Sequence, residues 1–270
     1  MLGSVATPTN GAVPGGDEVP GGEEAPSRRV LPTDPAVQVQ RGDEPASAPW
    51  LTSRHIVLIN PNTSAATTAM MTAIAQRALG GGAPVRGVTV DRGPGMLTDP
   101  AALRAAAPEV LTAGLRATAR GDCAALLVGA FGDPGLAELR AATDVPVVGL
   151  GEAALGEAAA HGTPFGVATT TPLLAGAIAA RVAALGLADR YTGLRLTTDA
   201  PERLSADPES LLDQLEHAVR ACVERDGARA VVIGGGPLGE AAEALRVRCA
   251  VRIVAPIPAA CRALTRLLRR

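Results

Sequence analysis

Short apolar runs alternate with longer helical stretches from about residue 54 to the end of the chain. The runs are HIVLIN, VRGVTV, AALLVGAF, PVVGLG, FGVATT, TGLRLT, AVVIGGG and VRIVAPI. Strands that are apolar at consecutive positions are buried on both faces, which is typical of parallel sheets joined by right-handed helical crossovers. Intervening segments such as SAATTAMMTAIAQRAL predict helices. The pattern therefore predicts an α/β fold with parallel strands.

The second half of this pattern repeats the first. The segment GDCAALLVGAFGDPGL matches RDGARAVVIGGGPLGE, which aligns Gly129 with Gly234, and residues 61–64 (PNTS) align with residues 169–172 (TTTP). Two such units that face each other bring the carboxyl ends of their strands to one cleft, where open parallel sheets bind ligands. The repeat predicts two pseudo-symmetric, four-stranded, Rossmann- or flavodoxin-like domains with the site between them.

Composition sets the expected domain limits. Residues 1–52 are rich in Pro, Gly and Ala and show no apolar period, so we expect a disordered tail there. We place the first domain at residues 53–152 together with 248–270, and the second at residues 153–247.

The chain has no lysine, since all 25 of its basic residues are arginine. This excludes cofactors anchored through a lysine Schiff base and the lysine of a phosphate-binding loop. The net charge of −2 does not indicate the positively charged surface that nucleic-acid binding requires. We find no apolar run of the roughly 18 residues that a membrane span needs, and no secretory signal. We therefore expect a cytoplasmic protein without a membrane or nucleic-acid partner.

The four cysteines have neither CxxC spacing nor a secretory context, which predicts reduced, packed thiols. The three histidines are scattered, and no metal site is predicted.

Polar residues follow the first strand of each half. Asn62, Thr63 and Ser64 lie between a strand and a helix, and Thr169 and Thr170 hold the matching positions. Such residues cap helix N-termini, where free backbone N–H groups also suit a carboxylate. We interpret these five residues as ligand-binding candidates as well as caps.

A second matched pair of loops, GAFGDPG and GGGPLG, follows the third and seventh strands. Glycine lets the backbone approach a ligand closely, although Gly-Pro sequences also punctuate many strand ends. We include Ala130, Phe131, Gly235 and Gly236 among the ligand-binding candidates. Residues 234–239 formally match a dinucleotide fingerprint, but no acidic residue follows at the required distance, so no cofactor is predicted.

The motifs INPNTS, GAFGDPGL, VPVVGLGEAA and FGVATT, in this order, resemble the aspartate/glutamate/hydantoin racemase superfamily, and most closely its hydantoin racemase branch. The resemblance covers residues 54–268. It implies two pseudo-symmetric α/β domains, no cofactor, and chemistry at a carbon next to a carbonyl. It also implies a small carboxylate or hydantoin-like ligand and a homo-oligomer.

The resemblance further implies two cysteines that exchange protons on opposite faces of the substrate carbon. Their positions fall on Ala130 and Gly235 in this chain. Asp133 is the nearest candidate for a replacement catalytic base, with the alternative that it is a turn residue before Pro134. Glu152 is a second candidate.

Two hypotheses follow from this substitution. In the first, the protein is an isomerase of the racemase family with altered chemistry, such as a one-base isomerisation or lyase reaction through Asp133 or bound water. In the second, it binds a small ligand without catalysis. Because only 1% of the residues are aromatic, we expect a small, polar, non-aromatic ligand.

Overall fold

The computed structural model describes residues 54–269, and the predicted tail at residues 1–52 lies outside this range. The strands of the described part are β1 His55–Asn60, β2 Val85–Thr89, β3 Cys123–Val128, β4 Val147–Gly149, β5 Phe165–Thr169, β6 Tyr191–Leu196, β7 Ala230–Ile233 and β8 Arg252–Val254. Its α-helices are α1 Ala65–Ala78, α2 Pro100–Thr118, α3 Leu136–Ala141, α4 Leu150–Ala158, α5 Ala175–Ala184, α6 Pro201–Ser205, α7 Pro208–Glu224, α8 Gly239–Arg248 and α9 Pro256–Leu268. Within these residues no helix is long and apolar enough to cross a membrane.

The strands form two four-stranded sheets with the same order, β2-β1-β3-β4 and β6-β5-β7-β8. Every pairing is parallel, as in β1 with β3, where Ile59 lies opposite Val128, and in β5 with β7, where Ala168 lies opposite Ile233. The predicted α/β fold with two four-stranded parallel sheets is confirmed.

The repeat extends to single hydrogen bonds. The N–H of Gly129, directly after β3, donates to the carbonyl oxygen of Ile59 at 2.8 Å. The N–H of Gly234, directly after β7, donates to the carbonyl oxygen of Ala168 at 2.8 Å. Both bonds bring the end of the third strand of a half beside the end of its first strand, so the two central loops of each half open at the same sheet edge.

Two of the longer helices begin at an Asp-Pro pair. The side chain of Asp99 accepts from the N–H of Ala102 at 2.9 Å, and that of Asp207 accepts from the N–H of Ser210 at 3.1 Å. The proline that follows each aspartate occupies the first helical turn, where its missing N–H costs nothing. These local signals fix where α2 and α7 start.

The last helix of each half packs against the other half. Ala154 and Leu155 of α4 share an apolar cluster with Phe165 and Val167 of the second sheet. A fully buried Leu or Phe side chain contributes about 1.5–3 kcal/mol to folding, so this contact ties the halves together strongly.

Helix α9 makes the reciprocal contact, because its Cys261 and Leu264 lie in a cluster with Ile56 and Leu58 of the first sheet. The strand before it, β8, nevertheless pairs with β7 in the second sheet. Our placement of residues 248–270 in the first domain therefore agrees with the packing of α9 but not with the pairing of β8, since the crossover occurs only after that strand. The domain limits as a whole stay a prediction.

Candidate active site

The loop after β1 is organised by a buried asparagine. The Nδ2 group of Asn60 donates to Asn62 Oδ1 at 2.8 Å, to the carbonyl oxygen of Ser64 at 3.0 Å and to Thr68 Oγ1 at 3.0 Å. The Ser64 hydroxyl in turn caps α1 by accepting from the N–H of Thr67 at 3.2 Å. The side chain of Asn60 thus links Asn62, Ser64 and Thr68 within the turn and the start of α1.

This turn directs only one of its three candidate residues into the cavity between the halves. Asn62 is buried and lines that cavity. Thr63 is exposed and lies outside the cavity lining, and so does Ser64. The structure therefore gives Thr63 and Ser64 a role in the turn and the helix cap, and it does not support the ligand contacts predicted for them.

In the matching loop after β5, too, some of the polar residues line the cavity and others only stabilise the loop. The buried Thr169 hydroxyl donates to the carbonyl oxygen of Gly234 at 2.6 Å, which joins this loop to the one after β7. Thr169 itself does not line the cavity, whereas Thr170 and Thr171 do. Thr169 therefore stabilises the contact between these two loops, in contrast with the ligand contact that the sequence predicted.

The loops enclose a cavity of about 130 Å³. Of the predicted residues, its lining includes Asn62, Ala130, Phe131, Thr170, Gly235 and Gly236. The rest of the lining is largely aliphatic and includes Leu103, Leu174, Ile178, Leu204 and Leu238. A cavity of roughly 150 Å³ holds a benzene molecule, so this one suits a ligand of about one small ring.

The loops after β3 and β7 meet directly across this cavity. A Cβ atom at Gly236 would lie 2.7 Å from the carbonyl oxygen of Gly129, and a Cβ atom at Gly234 would lie 3.2 Å from the ring of Phe131. Ala130 and Gly235, the positions that the resemblance assigns to the two cysteines, are thus brought together in the lining of one cavity.

Asp133, the predicted catalytic base, lies outside the cavity lining. It has a φ of +48°, and its carboxylate oxygens accept from the N–H groups of Gly151 and Glu152 at 2.8 Å each. Its side chain therefore points to the start of α4 and acts as the acceptor for that helix terminus. This geometry argues against the catalytic role and favours the turn interpretation.

Burial raises the pKa of Asp133 to about 6, although the charge of Arg181 and the two backbone donors oppose this shift. The second candidate, Glu152, also lies outside the cavity lining and pairs with Arg140 and Arg181. Neither carboxylate reaches the space between Ala130 and Gly235.

The cysteines do not line the cavity either. All four are free thiols, and Cys123, Cys222 and Cys261 are buried. Burial raises the pKa of each thiol, to about 11 for Cys222 and about 12 for Cys261, and a thiol with a raised pKa is a poor base at neutral pH. The prediction of packed, reduced thiols agrees with these positions.

Arg181 on α5 is a cavity residue that the sequence reasoning missed. It is the one charged side chain in the lining among residues 54–269. Its NH2 group lies 3.0 Å from Asp133 Oδ2 and 3.4 Å from Glu152 Oε2. The spacing of Leu174, Ile178 and Arg181 places all three on one helix face, which is the signal that would have revealed it.

Some backbone N–H groups at the strand ends have no hydrogen-bond acceptor within the described residues. In the described part of the chain, no carbonyl or side chain accepts from the N–H groups of Ala130, Thr170 and Gly236, all of which belong to residues in the cavity lining. Unused N–H groups of this kind bind carbonyl and carboxylate oxygens. The site therefore combines backbone donors, one arginine and an aliphatic wall, and within the described residues it holds no side chain that acts as a base at neutral pH.

The duplicated α/β fold brings the strand ends of its two sheets to one cavity. Residues 56–264 match the family model described as Asp/Glu/Hydantoin racemase, so the chain belongs to that family. The racemase resemblance drawn from the motifs is thereby confirmed.

Two curated relatives are hydantoin racemases. The chain is 28% identical to that of Paenarthrobacter aurescens over 207 residues, which are 77% of this chain and 88% of the relative. It is 27% identical to that of Pseudomonas sp. (strain NS671) over 199 residues, which are 74% of this chain and 80% of the relative. These relatives support classification of the chain as an isomerase of the racemase type.

Solved structures show the same architecture. Allantoin racemase from Klebsiella pneumoniae superposes with a TM-score of 0.74 at 28% identity and covers 80% of this chain and 88% of its own. A glutamate racemase from Francisella tularensis subsp. tularensis SCHU S4 has a TM-score of 0.59 at 11% identity, covers 80% of this chain and 81% of its own, and shows the fold alone.

Proposed function

We propose that this member of the racemase family binds a small carboxylate or ureide in the cleft between its two sheets, without exchanging the hydrogen on the carbon next to the ligand's carbonyl. The ligand presents its polar atoms to the strand-end loops and its apolar part to the aliphatic wall. No cofactor takes part.

The observation that carries this proposal is the environment of Ala130 and Gly235. Both residues line the same cavity from matched loops, and neither has a side chain that transfers a proton. Two-base racemisation needs an acid and a base on opposite faces of one carbon. Among residues 54–269 the lining contains one charged side chain, Arg181, and a guanidinium donates hydrogen bonds but has no acceptor atom for a proton.

The aliphatic residues that line the cavity, which we call the aliphatic wall, change the polarity expected of the ligand. The low aromatic content favoured a small polar molecule, but Leu103, Leu174 and Ile178 face the cavity. Desolvating a polar group against such side chains costs free energy unless it finds a hydrogen bond. A ligand with polar atoms at one end and a short apolar substituent at the other meets both requirements.

The test has two parts. Thermal unfolding of the protein is followed with small ureides, hydantoins and carboxylates, because a ligand that prefers the folded state raises the midpoint. Bound compounds are then incubated in deuterium oxide, and incorporation at the carbon next to the carbonyl is measured. Binding without exchange above the uncatalysed rate is the expected result. Enzyme-dependent exchange would contradict the proposal and favour one-base chemistry, and absence of binding to every compound would contradict a retained ligand site.

A further inference from the structure

We propose that Asp133 and Arg181 form a pH-controlled latch between the two halves. When Asp133 is ionised, the pair holds the loop after β3 against α5, and when Asp133 is protonated, this contact is released. Asp133 is thus a positioning residue that acts on the cavity through Ala130 and Phe131, the lining residues of the same loop. The inference concerns how the walls of the cavity are held together, so it depends on no particular ligand.

The first observation is that Asp133 connects three segments of the fold. It lies on the loop between β3 and α3, and its carboxylate accepts from the N–H groups of Gly151 and Glu152 at the start of α4. The same carboxylate accepts from Arg181 on α5 at 3.0 Å. Because β3 belongs to the first sheet and α5 follows the strand β5 of the second sheet, this ion pair links the two halves.

The second observation is that the hydrogen bonds of Arg181 go to two acids alone. Within residues 54–269, its guanidinium donates to Asp133 at 3.0 Å and to Glu152 at 3.4 Å, and to no other group. Glu152 also pairs with Arg140, so its charge is shared between two cations. A hydrogen bond between ionised groups is roughly twice as strong as a neutral one. Protonation of Asp133 therefore weakens the shorter bond and leaves Arg181 with the longer, shared one.

The third observation is that the latch lies beside the cavity lining. Phe131 packs in one apolar cluster with Ile178 of α5. Ala130 and Phe131 line the cavity from the loop, and Ile178 and Arg181 line it from α5. The loop is thus held on α5 by the apolar contact of Phe131, which does not depend on pH, and by the ion pair of Asp133. Loss of the ion pair weakens this attachment, so the loop separates from α5 more often.

The surroundings of Asp133 place its titration in a range where such a latch can respond. Its side chain has no exposed surface, and burial raises its pKa to about 6. The charge of Arg181 and the N–H groups of Gly151 and Glu152 lower this pKa, whereas the charge of Glu152 raises it. Arg140 on α3 faces the group through its pair with Glu152. Asp133 is therefore mostly ionised at pH 7.5 and mostly protonated at pH 5.

The experiment measures access to the cavity through a thiol placed in its lining. Ala130→Cys is the reporter, and Cys249→Ser is added because Cys249, unlike the other three cysteines, is not buried. Modification by methyl methanethiosulfonate, a small neutral thiol reagent, is timed at pH 7.5 and at pH 5. The reporter protein is compared with versions that also carry Arg181→Gln, Asp133→Asn or Arg140→Gln. Each rate is divided by that of the reporter protein at the same pH, so that the shared effects of pH on the thiol and on the histidines cancel.

At pH 7.5 we expect Arg181→Gln and Asp133→Asn each to speed modification by about tenfold, because each removes one partner of a charged hydrogen bond. At pH 5 the ratio for Arg181→Gln should fall below about twofold, since the latch is already released in the reporter protein. Arg140→Gln is the matched control, because Arg140 also pairs with Glu152 but lies outside the cavity lining. Its ratio should stay below about twofold at both pH values, as for a partly exposed ion pair.

Three results would overturn the inference. The first is a ratio for Arg181→Gln that is raised equally at the two pH values, as a change in the shape of the lining alone would produce. The second is an unchanged rate in Asp133→Asn at pH 7.5, and the third is an increase in Arg140→Gln as large as that in Arg181→Gln. The Asp133→Asn rate keeps the inference falsifiable even when Arg181→Gln does not fold. No ligand takes part in this experiment, so its outcome is independent of the proposed function.

Discussion

The carbonyl oxygen of Gly129 lies so close to Gly236 that a Cβ atom at position 236 would be 2.7 Å from it. These residues follow β3 and β7, the equivalent strands of the two halves, so their approach shows that the central loops meet in the cleft. The contact fixes the neighbouring Ala130 and Gly235 in the lining of one cavity. It also makes position 236 a sensitive test of the cleft geometry.

Gly236→Ala should lower the free energy of unfolding by about 1–3 kcal/mol, because the new methyl group meets a backbone oxygen that cannot move aside easily. Gly235→Ala is the matched control. Its φ of 167° is extended, and its Cβ would meet only the flexible Leu238 side chain at 3.0 Å. Urea unfolding measures both variants. Equal losses would show that the loops are not packed as described.

Asn60→Ala should lower the free energy of unfolding by about 2–3 kcal/mol. The buried side chain loses the hydrogen bonds of its two amide N–H groups and the one that its oxygen accepts from the N–H of Asn62, at roughly 1 kcal/mol each. Thr63→Ala, in the same turn but exposed, should change it by less than about 0.5 kcal/mol. Denaturant unfolding of the two variants tests this. A large loss in Thr63→Ala would restore the importance that the sequence assigned to that residue.

Asp133 should make stability depend on pH. Its folded pKa of about 6 is above its ordinary value of 3.8, so the folded state binds more protons than the unfolded state between these values. The contribution of this group to stability is therefore highest below pH 4 and falls by about 3 kcal/mol as the pH rises through 6. The stability difference between the wild-type protein and Asp133→Asn, measured from pH 4 to 8, should follow this course. A constant difference would show that Asp133 has an unshifted pKa.

The fold was predictable because its signals are local and repeated. Consecutive apolar residues marked β1, β3, β5 and β7 as strands buried on both faces. The alignment of Gly129 with Gly234 then predicted the duplicated sheets. Both glycines make the same hydrogen bond in the structure. A Cβ atom at Gly129 would lie 2.8 Å from the carbonyl oxygen of Ile59, and one at Gly234 would lie 3.0 Å from the side chain of Val167, so both positions favour glycine and the repeat is visible in the sequence.

The site was predictable only in part. Positions that follow a strand directly, such as Ala130 and Gly235, are placed by the sheet, and they do line the cavity. The direction of a loop side chain depends on a single backbone angle, and the positive φ of Asp133 turns its carboxylate toward α4. Leu103 of the aliphatic lining lies on α2 of the first half, and Ile178 and Arg181 lie on α5 of the second half. No local pattern at the strand ends reveals these helix residues.

The most direct test of the central claim compares solvent deuterium incorporation into a 5-substituted hydantoin by three proteins. These are the wild-type protein, the double variant Ala130→Cys with Gly235→Cys, and the double variant with serine at both positions as a size-matched control. If the cleft is the family's reaction site without its acid and base, the cysteine variant should exchange the ring α-hydrogen above the uncatalysed rate, and the other two should not. Exchange by the wild-type protein at a rate equal to or above that of the cysteine variant would contradict the account.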